Sequence, residues 1–201
     1  MSNSVQKKKK GTICIFIGLL LIAAALFLAY YNVRQERMAE KFSQNSLEKL
    51  TSEVQDMEEA VPDYKEFPEM EMPQKEIDGQ SYIGVLDIPV LELSLPVISD
   101  WSYPKLKIAP CRYEGSAYTD NLIIAAHNYN CHFGNLKTLQ TGEIVTFTDI
   151  DGNIFYYEVA ELEILEPFAV EDMKSGDWDL TLFTCTYGGQ QRVTVRCVIV
   201  E

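Results

Sequence analysis

The run from Gly11 to Val33, GTICIFIGLLLIAAALFLAYYNV, contains no charged residue, and it constrains the chain more than any other feature. At about 1.5 Å per residue a helix of this length crosses a hydrocarbon core of roughly 30 Å, so the run predicts a transmembrane segment and divides the chain between two environments. Lys7, Lys8, Lys9 and Lys10 precede it and are the only charged side chains ahead of Arg34. The positive-inside bias keeps such a cluster in the cytoplasm, which places everything after the span outside the cell. A cleaved signal peptide, with Ala23 to Ala25 as a small-residue cleavage site, is the competing reading. The apolar run exceeds a signal h-region of about 7–15 residues, which favours a retained anchor.

Beyond the span the chain is acidic. All 30 Asp and Glu lie there, and setting the four leading lysines aside from the 17 basic residues leaves 13 against them, a formal charge of −17. Phosphate binding needs a basic surface, so nucleic acid is excluded as an expected partner, and a body lying flat on anionic lipid is disfavoured. A chain of 201 residues, 47% of them hydrophobic, accommodates one packed domain with appendages.

The chain therefore reads as a basic cytoplasmic tail over 1–10, an anchor over 11–33, a stalk and linker over 34–79, and a globular domain over 80–201. Residues 34–60 are polar, free of Gly and Pro and rich in helix formers, which predicts a solvated helix. Pro62, Pro68, Pro73 and the closing Asp78-Gly79 predict an extended linker. Beyond Gln80 come short apolar or alternating runs: YIGVLDI, LELSLPVI, NLIIAA, EIVTFTDI, IFYYEVAELEIL, LTLFTC and RVTVRCVIV. Their Val, Ile, Tyr, Phe and Thr content marks strands, and Asp151-Gly152-Asn153 marks a hairpin turn. VEDMKSGDWDL reads as a short helix or loop between strands. Without a βαβ rhythm or a repeat, the pattern predicts a mostly antiparallel barrel of seven or eight strands.

Cys14 belongs to the span. Cys111, Cys131, Cys185 and Cys197 are separated by 20, 54 and 12 positions, so no CxxC pair supports a zinc or dithiol site. An extracellular setting is compatible with a Cys111–Cys131 disulfide. No Asp and Glu spacing matches a calcium loop, and neither metal nor cofactor is expected. Cys185 ends an alternating run ahead of Gly188-Gly189, where a thiol is more accessible than in mid-strand, although a lone cysteine is more often a buried structural residue. His127 follows the apolar run LIIAA and sits at a barrel rim, where both protonation states are reachable; a structural loop histidine is the bland alternative. Arg192 opens the next strand across from Cys185, where a guanidinium can bond a developing oxyanion. Arg196 shares its strand parity and competes for the role, and a surface ion pair is the ordinary fate of either.

Taken together these segments resemble the sortases. TLFTC, Thr181 to Cys185, is similar to the TLxTC signature that ends in the nucleophile, and RVTVRC stands where the family carries its arginine. LIIAAHNYNCHFGNL resembles the segment around the catalytic histidine, and IGVLDIPVLELSLPVI and RYEGSAYTDN resemble the opening strands and the approach to it. The resemblance covers roughly residues 80–201. It implies a closed eight-stranded barrel in which Cys185 attacks the carbonyl of a C-terminal sorting motif of a secreted protein. His127 would act as acid and base, Arg192 would stabilise the oxyanion or position the substrate, and Thr184 would contact substrate. A cell-wall precursor amine, or water, would resolve the thioacyl intermediate. The family assigns catalysis to the first histidine, so His132 is left without a role. The segment that ordinarily selects the sorting motif, roughly Glu166 to Asp179, is short. The His-Asn pair and Phe-Gly-x-Leu lean toward class B, the long helical insertion of that class is missing, and subclass stays open. The competing functions are a surface cysteine hydrolase using water, and a non-catalytic membrane-anchored β-domain with Cys185 buried.

Overall fold

The computed structural model describes residues 2–51 and 63–200, with side chains from Ile15 to Thr51 and from Tyr64 to Val200. Residues 52–62, on which the end of the expected stalk and Pro62 fall, lie outside the described residues. The chain divides into two compact units, residues 1–37 and residues 38–201.

The described residues of the first unit lie within helix α1 (Ser2–Thr51). Its apolar side chains from Ile15 to Val33 are exposed around the whole helix, with a mean hydropathy of 2.2 over eighteen residues. A helix apolar on every side has no core to face in water, and this one is long and apolar enough to cross a membrane.

Among the described residues the second unit contains nine strands: β1 (Lys75–Ile77), β2 (Gln80–Ile88), β3 (Leu93–Ile98), β4 (Cys111–Glu114), β5 (Leu122–Ala125), β6 (Ile144–Asp149), β7 (Ile154–Leu165), β8 (Leu180–Cys185) and β9 (Arg192–Ile199). Two short helices, α2 (Tyr103–Leu106) and α3 (Val170–Lys174), lie in the connections. The sheet runs β1-β2-β3-β4-β5-β8-β9-β7-β6, and β6 pairs back onto β2, so strands β2 to β9 close into the expected eight-stranded barrel. Pairing is antiparallel except for β3–β4 and β5–β8.

Alternation explains the layers. Ile83, Leu86, Ile124, Phe147, Tyr157, Leu182 and Val195 point inward and are fully buried in the barrel. Closure depends on Gly84, where a Cβ would lie 2.1 Å from the Thr148 carbonyl oxygen on the pairing strand. A second apolar cluster covers part of the outer face, with Tyr82, Ile98, Cys111 and Ala125 under Leu50 and Leu106.

Two expectations change. The helical stretch from Met38 is not solvated all round: Ala39, Ser43, Ser46 and Leu50 are buried, and Ser46 Oγ lies 2.9 Å from the Tyr82 hydroxyl. Strand pairing also starts ahead of Gln80. Asp78 and Gly79 have φ of 50° and 76° and join β1 to β2 as a two-residue hairpin turn, with Ile77 opposite Gln80. What reads as the end of a linker is the first turn of the sheet.

Candidate active site

Three strand ends meet at one rim of the barrel. In the parallel pair β5–β8, Ala125 lies beside Phe183, and the Ala126 N–H donates to the Phe183 carbonyl at 3.1 Å. Continuing that register brings His127 alongside Cys185. In the antiparallel pair β8–β9, Cys185 stands directly opposite Arg192. Paired residues of antiparallel strands project from the same face. Because Leu180, Leu182, Val193, Val195 and Cys197 fill the interior, Cys185 and Arg192 are on the outer face, half-buried.

The two segments carrying His127 and Cys185 are fastened on both sides of the pair. The Thr184 hydroxyl donates to the Ala126 carbonyl at 2.8 Å, and Asn128 Nδ2 donates to the Thr186 carbonyl at 3.4 Å. Thr184, expected as a substrate contact, is buried, and its hydroxyl is committed to this strand-to-strand bond. Beyond His127 the chain folds back, with the Phe133 N–H on the His127 carbonyl and the Gly134 N–H on the Tyr129 carbonyl. Phe133 and Leu136 are fully buried and anchor this return.

His127 Nε2 is buried and makes no hydrogen bond among the described residues. Burial, with the nearby positive charge of Lys107 adding to it, holds the imidazole pKa below its ordinary value, so the ring is neutral at pH 7 and can accept a proton. Its ring lies 4.9 Å from that of Tyr129, which in turn lies 5.7 Å from His132. His132 is fully buried, and burial, followed by the charge of His127, pushes its pKa down to about 4.

The two arginines separate. Arg192 is half-buried and donates to the Gly189 and Gln191 carbonyls of the β8–β9 turn at 3.2 and 3.1 Å. Arg196 is buried in bonds to Glu163, Thr181 and the backbone of α3, and it faces Thr181 across the sheet, away from Cys185. None of Cys111, Cys131, Cys185 and Cys197 is in a disulfide. Cys111 and Cys197 are fully buried, and burial pushes both thiols up to about 12, which leaves Cys131 and Cys185 as the half-exposed pair. Among the described residues no His, Cys, Asp and Glu cluster could hold a metal ion.

Known proteins of similar fold bear on this geometry. No sequence among the curated proteins matches the chain significantly. Among solved structures it is similar to a sortase D5 transpeptidase of Clostridium perfringens, with a TM-score of 0.61 and 23% identity over 80% of this chain and 99% of that one. It is also similar to sortase C1 of Streptococcus agalactiae, with a TM-score of 0.55 and 26% identity over 63% and 71% of the two chains. Sortase A of Corynebacterium diphtheriae matches with a TM-score of 0.56 and 21% identity, and this chain spans 62% of its length. The family model for the sortase domain matches residues 86–200, more than half of the sequence, and the chain therefore belongs to the sortase family of cysteine transpeptidases.

Proposed function

We propose that this protein is a membrane-anchored sortase that cleaves a C-terminal sorting motif of secreted proteins and joins them to an amine of a cell-wall precursor. The observation that carries the reading is the single rung shared by Cys185 and Arg192 beside the β5 exit that bears His127. In the first step Cys185 Sγ gives its proton to neutral His127 and bonds to the scissile carbonyl carbon. Arg192 faces the developing oxyanion. The carbon–nitrogen bond then breaks, the leaving amine takes the proton from His127, and a thioester to Cys185 remains. The acceptor amine attacks the thioester, its proton passes to His127, and the sulfur leaves and is reprotonated. Lys7 to Lys10 ahead of the apolar helix support an N-terminus in the cytoplasm and a catalytic unit outside, where exported proteins and wall precursors meet.

The test uses the full chain in detergent with a panel of sorting-motif peptides, with and without an amine acceptor. Cleavage together with an acceptor-ligated product is expected, with a thioacyl adduct on Cys185 by mass spectrometry. Cys185→Ala should abolish both products, and Arg192→Ala should lower kcat/KM by about 10²–10³-fold. Full turnover by Cys185→Ala refutes the proposal, and cleavage that never yields ligated product converts it to a hydrolase.

A further inference from the structure

We infer that Arg196 is a positioning residue that sets which peptides reach Cys185, by holding α3 on the outer face of the sheet as a wall beside the thiol. This deepens the proposed function and rests on Cys185 being its nucleophile.

The helix α3 has five residues and no side-chain N-cap bond. A helix this short has no stability of its own, so tertiary contacts must place it. Arg196 supplies them. It is 2% exposed; its Nη1 donates to the Met173 carbonyl and its Nη2 to the Asp172 carbonyl, both at 2.6 Å. These are carbonyls of the last helical turn; that of Asp172 also accepts from the Ser175 N–H at 3.3 Å and the Ser175 hydroxyl at 2.9 Å, so Arg196 ties a locally capped helix end to the sheet. The same guanidinium reaches Glu163 on β7 at 2.7 Å and Thr181 on β8 at 3.1 Å, so one side chain joins α3 to the strands on either side of β9.

The wall stands close to the chemistry. Met173 is buried, and its sulfur accepts from the Thr194 hydroxyl at 3.7 Å. Thr194 pairs with Phe183, and the next rung on the same face is Cys185 with Arg192, about 7 Å along the strand. At its other end α3 is tied by the Lys174–Glu114 ion pair, and the Lys174 ammonium lies 6.0 Å from the centre of the Tyr113 ring. Tyr113 meets Phe183 edge-on at 5.2 Å. Tyr113, Phe183 and α3 thus lie together on the outer face, and Cys185 follows Phe183 by one rung. A peptide approaching along β8 meets α3 one rung before the thiol.

The experiment compares the full chain in detergent with Arg196→Gln, Arg196→Lys and Lys174→Met. It reads kcat and KM on a sorting peptide, hydrogen exchange of the amides in 169–176, and alkylation of Cys185 located by peptide mapping, with iodoacetamide and with peptidyl halomethyl ketones of differing side chains. For Arg196→Gln the expected result is faster exchange in 169–176, KM raised about tenfold, and kcat and the iodoacetamide rate within about twofold. Discrimination among the peptidyl reagents should shrink by a similar factor. Arg196→Lys should recover part of each change, and Lys174→Met, at a half-exposed pair, should raise KM about two- to threefold without lowering the melting temperature. Loss of kcat at unchanged KM, or faster exchange with unchanged reagent discrimination, overturns the inference. If Arg196→Gln does not fold, Lys174→Met decides it by the same readouts. A parent that turns over no sorting peptide refutes the proposed function alone, since discrimination among the peptidyl reagents still judges the role of Arg196.

Discussion

His132 shows how far a neighbour of the site can matter to the molecule without touching substrate. Both ring nitrogens are buried and unpartnered among the described residues, so the folded chain holds this imidazole neutral, with a pKa near 4 against about 6.5 when unfolded. Above pH 6.5 both states carry the neutral ring and it contributes nothing to pH dependence. As pH falls from 6.5 toward 4, the unfolded chain takes up a proton that the folded chain refuses, and stability drops by an amount on the order of 3 kcal/mol. The lowered pKa of His127 acts in the same direction. His132→Phe should flatten the decline between pH 7 and 4.5, measured by urea unfolding at each pH. A decline as steep as in the parent would show that the buried imidazole is not its source. At this scale the sequence offered Cys185, His127 and Arg192 as separate candidates, but parity alone left Arg192 and Arg196 equivalent. Strand register and the carbonyls of α3 tell them apart, and neither is visible in local composition. Thr184 illustrates the converse, because a position known from a motif did not reveal that its hydroxyl bonds Ala126.

Among the elements, the return loop after β5 makes the strictest demand. A Cβ on Gly134 would lie 2.8 Å from the Tyr129 carbonyl oxygen and 2.9 Å from that of Asn128, backbone atoms that cannot rotate away. Gly134→Ala must therefore shift the loop whose first carbonyl belongs to His127 and which is fixed at its far side by buried Phe133. The expected cost is about 1–3 kcal/mol of stability. A displacement of about 1 Å at a catalytic group can cost a further 10²-fold in rate, so kcat/KM should fall far more than melting would predict. Parallel melting and kinetic measurements check this, and a variant with normal kcat/KM would separate the loop from the site. The seven strand runs were legible because alternation and β-branched content survive in single segments. The remaining two strands were not. β4 has only four residues, CRYE, and is defined by pairing with β5 rather than by pattern. β1 is three residues long, and its Asp-Gly turn signal stood beside three prolines that read as linker.

At the scale of the whole molecule, the body extends well ahead of the barrel strands. Leu50, Met72 and Ile77 are 3, 2 and 7% exposed, Tyr64 stacks on Tyr118 at 4.6 Å between ring centres, and Lys49 and Asn45 both bond Asp78. Hydrophobic patterning could not announce this, since three of the four buried positions on the helix, Ala39, Ser43 and Ser46, are small or polar and pack by close approach. Complete burial of a Leu, Ile or Met side chain is worth about 1.5–3 kcal/mol, so the three apolar residues together supply roughly 5–9 kcal/mol as an upper figure. That is comparable to the whole stability of an ordinary domain, about 5–15 kcal/mol. A chain of residues 38–201 should therefore unfold cooperatively, whereas one beginning at Gln80 should melt at least about 10 °C lower or fail to fold. It would also expose the outer face of Tyr82 and Ile98 to solvent. Thermal melts of the two chains in the same buffer decide the matter. Equal melting temperatures would mean that residues 38–79 only connect the apolar helix to the barrel, and a large gap would mean that the segment is part of the folded unit that holds Cys185 in place.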